Sequence, residues 1–327
     1  MEYVEIGKTG IKVSRICLGT GFRGFQRRIS SEQDCVETFH RAISMGCNFI
    51  DCANFYGLGD SESIVGRVLK EIGGRDKLVV TSKVGQPVGT GSLDKGLSRA
   101  HVMREVEQSL SRLKIDYLDF YLMHVPDPET TLEDALRAMD DIVTQGKARQ
   151  VGISNHKTED IIELNQIAKS ENLILPSVLQ FQYSLLHRWK IEHEIFPVCQ
   201  ELQMGLMVYS PLAIGLLSGV IRKNGKINTD NYWYGRKDIF EIMEEVEPVL
   251  QTLDEISKEL SCTISELAIA WVLAKPLVTS AIIGPDYPKH VDDLFNATAI
   301  QLKQEHLERL DHIAHEVSPR EFTGKDF

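Results

Sequence analysis

Long apolar runs are missing from this sequence. The longest, Leu267 to Ala274, is far shorter than the roughly 20 residues needed to cross a bilayer, and it reads as a buried helix. Positive charge is also in deficit: 36 Lys and Arg stand against 47 Asp and Glu, for a net charge of −11. That balance argues against an extended footprint on a phosphate backbone and makes nucleic acid an unexpected partner. Cysteine is sparse, six residues scattered over 327 without the dense spacing of a disulfide framework. All six are expected as reduced thiols, with Cys47 ending a helix and Cys52 following a strand. There is no Cys-x-x-Cys, and His312 and His315 lie on a charged C-terminal helix where solvation explains them, so no metal site is expected. The opening residues Met1 to Glu5 have neither the basic stretch nor the apolar core of a secretory signal, and the cytoplasm is the expected location. No Pro/Gly/Ser-rich linker or low-complexity tract divides the chain, so residues 1–327 are read as one domain.

What is present is an alternation of short β-rich runs and amphipathic helical stretches. A hairpin is expected over Tyr3–Ile6 and Ile11–Val13. Strand-like runs follow at Ile16–Leu18, Asn48–Ile50, Leu78–Thr81, Leu118–Met123, Gln150–Ile153, Val178–Gln180, Leu206–Val208 and Ser280–Ile283. Helical patterns lie between them: Ser31 to Met45, opened by the cap pair Ser31 and Asp34, then Glu62–Glu71, Ala100–Leu113, Leu132–Thr144, Thr158–Lys169, Glu192–Leu202, Phe240–Leu273 broken near Ser261, and Lys289–Ala297. Strands that each precede a helix imply a parallel sheet, and eight such units close into a (β/α)8 TIM barrel. The segment Val220–Asp238, with Asn224-Gly225 and Tyr232-Trp233-Tyr234, reads as a long functional loop after the seventh barrel strand.

Gly19-Thr20-Gly21-Phe22-Arg23-Gly24 matches the dinucleotide-binding pattern G-x-G-x-x-G after a strand. The context fails, because that motif must open a helix, whereas Phe25 to Arg28 intervene before the cap at Ser31. A stronger constellation stands at the ends of three later strands. Asn48 to Asp51 ends on a carboxylate with Tyr56 just beyond, Val79 to Lys83 ends on an ammonium, and Phe120 to His124 ends on an imidazole. Strand carboxyl ends ring one mouth of a barrel, where the chemistry of this fold sits. Alone, the Asp is a loop cap, the Lys a solvated charge and the His a core residue. Together they suit proton transfer to a carbonyl oxygen: an ammonium favours the phenolate of Tyr56, a carboxylate orients the ammonium, and the imidazole hydrogen-bonds the substrate oxygen.

With these residues in place the sequence resembles the aldo-keto reductase family from the first hairpin to the last helix. The matching stretches are Leu18-Gly19-Thr20, Asp51-Cys52-Ala53-Asn54-Phe55-Tyr56-Gly57, Thr81-Ser82-Lys83, His124-Val125-Pro126-Asp127, Gly152-Ile153-Ser154-Asn155, Gln180 to Arg188, and Tyr209-Ser210-Pro211-Leu212. The resemblance implies a hairpin plugging the bottom of the barrel and nicotinamide-dependent interconversion of a small carbonyl and its alcohol. It implies Tyr56 as acid/base, Lys83 and Asp51 as its tuners, and His124 as the substrate-orienting group. It further implies Ser154, Asn155 and Gln180 on the carboxamide, Tyr209 on the ring, and Thr20, Gly21 and Asp51 near the cofactor. Ser210, Leu212, Gly215, Leu217 and Ser218 would follow the pyrophosphate, and Gly284, Asp286, His290 and Asp293 the adenosine end. Asn155 has the alternative of capping the helix near Thr158, and Tyr209 that of barrel packing. Phe22, Phe25, Phe55 and Trp233, with Tyr234, are candidates for an aromatic substrate pocket beside Tyr56 and His124. Where relatives carry Ser and then Arg or Lys for a 2′-phosphate, this chain has Asp286 and Tyr287, which favours NAD over NADP. The competing reading is a cofactor-binding sensor or regulatory subunit of the same fold with slow turnover. Oligomeric state is not legible.

Overall fold

Side chains alternate faces along a strand, so a short strand in a closed sheet offers two or three residues to the interior and the rest to the surrounding helices. The computed structural model, which describes residues 1–317 except 92, 224, 230, 232 and 237, follows this parity through the barrel. The strands are β3 (Ile16–Gly19), β4 (Phe49–Asp51), β5 (Val79–Val84), β6 (Leu118–Met123), β7 (Ala148–Ser154), β8 (Val178–Gln182), β9 (Gly205–Tyr209) and β10 (Ser280–Ile283). All neighbours are parallel and β10 returns to β3, closing an eight-stranded barrel. Inward residues of the lower layer form one apolar cluster: Cys17, Phe49, Val79, Phe120, Leu122, Val178, Met207 and Ile282. The intervening residues, among them Ile50, Val80, Tyr121, Ile153 and Val208, join the larger cluster between sheet and helices.

The N-terminal hairpin pairs β1 (Tyr3–Glu5) with β2 (Lys12–Ser14) and stands apart from the barrel sheet. Ile6 and Val13 belong to the interior cluster, so the hairpin stoppers the bottom. Its seating depends on glycine: a Cβ on Gly7, at φ +59°, would lie 2.8 Å from the Gly205 nitrogen at the start of β9. Arg15 fastens the same end by donating to the carbonyls of Leu273, Val278 and Thr279.

The flanking helices are α2 (Glu32–Ser44), α3 (Asp60–Ile72), α4 (Arg99–Leu113), α5 (Leu132–Thr144), α6 (Thr158–Ser170), α7 (Phe196–Leu202), α8 (Ile239–Leu260), α9 (Ile264–Leu273), α10 (Pro288–Phe295) and α11 (Gln304–Val317). The expected cap is present: Ser31 Oγ accepts from the Asp34 N–H and Asp34 returns the bond to the Ser31 N–H. The break near Ser261 is a left-handed residue at φ 54° between α8 and α9. The stretch before Phe196 is a π-turn over Ile191–Ile195, set where Pro197 lacks a backbone donor. Two expectations need correction. A short helix, α1 (Arg23–Gln26), does open inside the glycine motif; the motif nevertheless follows a strand of a closed barrel, and that sheet is not the doubly wound one a dinucleotide fingerprint requires. Cys47 lies beyond α2, which ends at Ser44 and is followed by a turn through Met45 and Gly46. Among the described residues no helix is long and apolar enough to cross a membrane.

Candidate active site

Parity brings the chemistry to the mouth. Above Phe49 the next inward residue of β4 is Asp51; above Val79 in β5 are Thr81 and Lys83; beyond Leu122 in β6 stands His124. Ser154, Gln180, Gln182 and Tyr209 occupy the corresponding upper positions of β7, β8 and β9.

The Lys83 side chain is fully buried and all three of its hydrogens have acceptors. It donates to Asp51 Oδ2 at 2.7 Å, to the Cys52 carbonyl at 2.7 Å and to Tyr56 Oη at 3.1 Å. The lone pairs of Tyr56 thus face a fixed cation, which leaves its O–H proton for another acceptor. Burial works against the charged form of Lys83, but Asp51 and Tyr56 more than offset it and hold the ammonium above its ordinary range. Burial pushes the Tyr56 phenol up, while Lys83 and, more weakly, Arg23 pull it down. Burial wins. Tyr56 therefore sits above its ordinary value even though Lys83, as expected, favours its phenolate. His124 packs edge-on to Tyr56, with ring centroids 5.9 Å apart at 83°. Burial, then the charge of Lys83, holds His124 well below the usual imidazole range, so it is neutral near pH 7. Its Nδ1 is buried and makes no hydrogen bond among the described residues.

On the far side of the mouth Gln180 donates from Nε2 to Asp51 Oδ1 at 2.8 Å, leaving its carbonyl oxygen for a ligand. Asn155 does not cap α6, whose cap position is Lys157. Its amide hydrogens go to the His124 carbonyl and Ser154 Oγ, and its oxygen accepts from Tyr209 Oη at 2.9 Å. Both amide hydrogens of Asn155 are thus committed within the protein, and Asn155 braces the ends of β6, β7 and β9. Burial pushes the Tyr209 phenol up to about 12.

A nicotinamide cofactor fits this mouth by its open backbone and unspent acceptors. A Cβ at Gly21 or Gly215 would meet nothing, so the chain can be approached closely there. Ser210, Ala213, Ile214 and Gly215 all have positive φ, an irregular backbone directly beyond β9. Leu212 and Gly215 are partly exposed, whereas Leu217 is fully buried, so its side chain faces the core and only its backbone can face a pyrophosphate. Ser218 is turned onto the Gly215 carbonyl at 2.6 Å. Thr20 is likewise buried, bonded to the Asp51 carbonyl and Ser61, and supports the site from beneath. Gly284 and Asp293 are exposed at the end beyond β10, and His290 is half-buried beside Tyr287. Asp286 Oδ1 accepts from the Gly24 N–H at 3.0 Å, and Tyr287 Oη donates to the Ile29 carbonyl at 2.7 Å.

The aromatic pocket is largely corrected. Phe22 is buried at φ 42°, and Phe25 lines a cavity of about 260 Å³ with Glu32, Asp60, Ile64 and Arg67, a lining that contains neither Tyr56 nor His124. Trp233 is 1% exposed and donates from Nε1 to the Ile214 carbonyl at 2.9 Å. A ring long enough to read as a pocket wall serves instead to pin its loop to the segment after β9. Phe55 and Tyr234 are exposed; Asn224 and Tyr232 lie outside the described residues. Trp233→Ala is accordingly expected to cost about 3–5 kcal/mol, the scale for emptying a large aromatic site, read as a fall in the denaturation midpoint. Undiminished stability with altered selectivity between bulky and small carbonyls would return the ring to the pocket. Arg23, whose charge reaches both Tyr56 and Tyr209, escaped the sequence reading, since an exposed Arg in a glycine-rich loop carries no distinguishing signal.

A closed parallel barrel with a bottom hairpin and Asp51, Tyr56, Lys83 and His124 at its mouth defines an oxidoreductase of the aldo/keto reductase class. The model of the aldo/keto reductase family matches residues 15–315, and the chain belongs to that family. It is 34% identical over 322 residues, covering 96% of both chains, to the uncharacterized oxidoreductase YrpG of Bacillus subtilis (strain 168). Membership makes it an NAD(P)-dependent oxidoreductase of carbonyl compounds.

Proposed function

We propose that the protein interconverts an aldehyde, ketone or sugar carbonyl and its alcohol, with Tyr56 as the group that exchanges the proton. The observation that carries this reading is the Lys83 ammonium, 2.7 Å from Asp51 and 3.1 Å from Tyr56 in a buried setting. When bound, the nicotinamide supplies or accepts hydride at the substrate carbon. Ser154, the Gln180 carbonyl oxygen and the Tyr209 ring would hold it against the barrel ends. The substrate oxygen takes a place between Tyr56 and neutral His124. In reduction Tyr56 gives its O–H proton to that oxygen, and Lys83 stabilises the phenolate left behind until water returns the proton. In oxidation the phenolate takes the alcohol proton. Six free thiols, five of them buried, suit a reducing compartment such as the cytoplasm. Oxidation of reduced cofactor in the presence of a generic aldehyde tests the activity: many turnovers are expected, and a single slow turnover would favour a cofactor-binding sensor.

NAD(H) is expected to serve at least as well as NADP(H). Asp286 is held in place by Gly24, and Tyr287 presents a phenol bonded to Ile29 where a cation would be needed for a 2′-phosphate. A fixed carboxylate repels that dianion and accepts hydrogen bonds from a free ribose hydroxyl. The measurement is the ratio of kcat/KM for the two cofactors with one substrate. A ratio favouring NADP(H) by more than about tenfold, or 1.4 kcal/mol, defeats the expectation. The double substitution Asp286→Ser, Tyr287→Arg should move the ratio toward NADP(H).

A further inference from the structure

The loop carrying Tyr56 is held from outside the barrel as well as from within. On its inner flank the Cys52 N–H donates to the Thr81 carbonyl at 2.9 Å and the Asn54 N–H to the Lys83 carbonyl at 3.4 Å. On its outer flank Asn54, 1% exposed, donates from Nδ2 to Glu105 Oε2 at 3.0 Å. Glu105 stands in the middle of α4 and is 4% exposed. Its other oxygen accepts from Arg104 Nε at 3.1 Å. Arg104 Nη2 reaches the Leu93 carbonyl at 2.9 Å and Asp94 Oδ1 at 3.2 Å. Asp94 in turn shapes the loop between β5 and α4, accepting from the Gly91 N–H at its side chain and from the Val88 N–H at its carbonyl, each at 2.9 Å. That loop leaves the carboxyl end of β5, on the face where substrate arrives. A continuous hydrogen-bonded path therefore runs from a substrate-side loop to a point two residues from Tyr56.

Stability does not account for the carboxylate. Removing a charge from water is costly, and a well-packed apolar side chain usually stabilises a helix–sheet interface as well as or better than a buried ion pair. What a carboxylate adds is direction: one oxygen for an amide on the Tyr56 loop, the other for the guanidinium of its helix neighbour Arg104, which reaches the loop between β5 and α4. We propose that Glu105 is a positioning residue for Tyr56, acting through Asn54, and that Arg104 links this hold to the loop between β5 and α4. The inference rests on the reading of Tyr56 as the acid/base.

Single-turnover hydride transfer from pre-bound NADH to a generic aldehyde tests it, with cofactor Kd measured alongside. Glu105→Leu is expected to leave cofactor Kd unchanged and slow hydride transfer roughly tenfold to a hundredfold, the scale of a misplaced reacting group. Glu105→Gln keeps an acceptor for Asn54 and should restore most of the rate. The double variant Asn54→Ala, Glu105→Leu should be no slower than the worse single one, because both remove the same hold. Arg104→Gln should slow the same step without changing cofactor Kd. A full rate in Glu105→Leu, or losses that multiply in the double variant, would overturn the proposal. If Glu105→Leu does not fold, Asn54→Ala alone decides: an unaltered hydride-transfer rate overturns it. A full rate in Tyr56→Phe would instead defeat the acid/base reading, so the two failures are distinguishable.

Discussion

Tyr56→Phe is expected to slow hydride transfer by at least about a hundredfold while cofactor affinity stays nearly intact. Phenylalanine keeps the ring that packs edge-on to His124 and removes only the oxygen. Lys83 loses one of its three acceptors but keeps Asp51 and the Cys52 carbonyl, so the ammonium remains in place. The loss therefore falls on the proton donor itself. Because burial raises the Tyr56 phenol above its ordinary range, the group is protonated at neutral pH and ready to act as the acid in reduction. Rapid mixing of the cofactor-loaded enzyme with substrate, followed by nicotinamide absorbance, reads the chemical step directly. An unchanged step would remove Tyr56 from the reaction.

Lys83→Met should shift the pH profile of alcohol oxidation toward higher pH. Oxidation needs the phenolate, so its rate rises as pH climbs through the Tyr56 pKa. Burial raises that pKa and Lys83 is the largest influence opposing it, followed by the minor pull of Arg23. Removing Lys83 takes the pKa further up, leaving less phenolate at any neutral pH. Reduction suffers as well, since the phenolate it produces has lost its nearest cation. The substitution also strands Asp51, whose side chain is 3% exposed, without its cation; leaving one member of a buried pair unpaired costs about 3–5 kcal/mol. The companion variant Lys83→Met, Asp51→Asn removes both charges and should regain stability, while its profile moves less than that of Lys83→Met because the upward pull of Asp51 on Tyr56 is lost as well. A profile that does not move, with activity retained, would make Lys83 structural.

The expected fold rested on residues whose local chemistry and global role agree. Ser31 and Asp34 cap α2 through bonds that span only three positions, and both partners are visible in the sequence. Asp51, Lys83 and His124 were legible because each ends a β-rich run, and a parallel barrel turns strand ends into neighbours. Trp233 was misread because size and aromaticity are common to pocket walls and cores; only burial separates them, and burial is a property of the assembled molecule. For Leu217 the motif does not say whether backbone or side chain would face a pyrophosphate; burial of its side chain leaves the backbone. The Asn54–Glu105 bond joins residues 51 positions apart on a loop and a helix. No periodicity links them, so the sequence carried no trace of it.

The Asp51 carboxylate divides its oxygens between two walls of the barrel: Lys83, 32 positions away on the adjacent strand, and Gln180, 129 positions away on the opposite side. The first bond can form within a fragment of three strands. The second waits until the chain has wrapped round on itself, a contact of long sequence separation whose loop-closure entropy delays it. Asp51 thus works as a tie rod across the lumen. Partly folded chains can assemble a charged Asp51–Lys83 pair, but the carboxylate becomes fully clamped only when β8 arrives, which makes the finished electrostatics of the mouth one of the late events of folding.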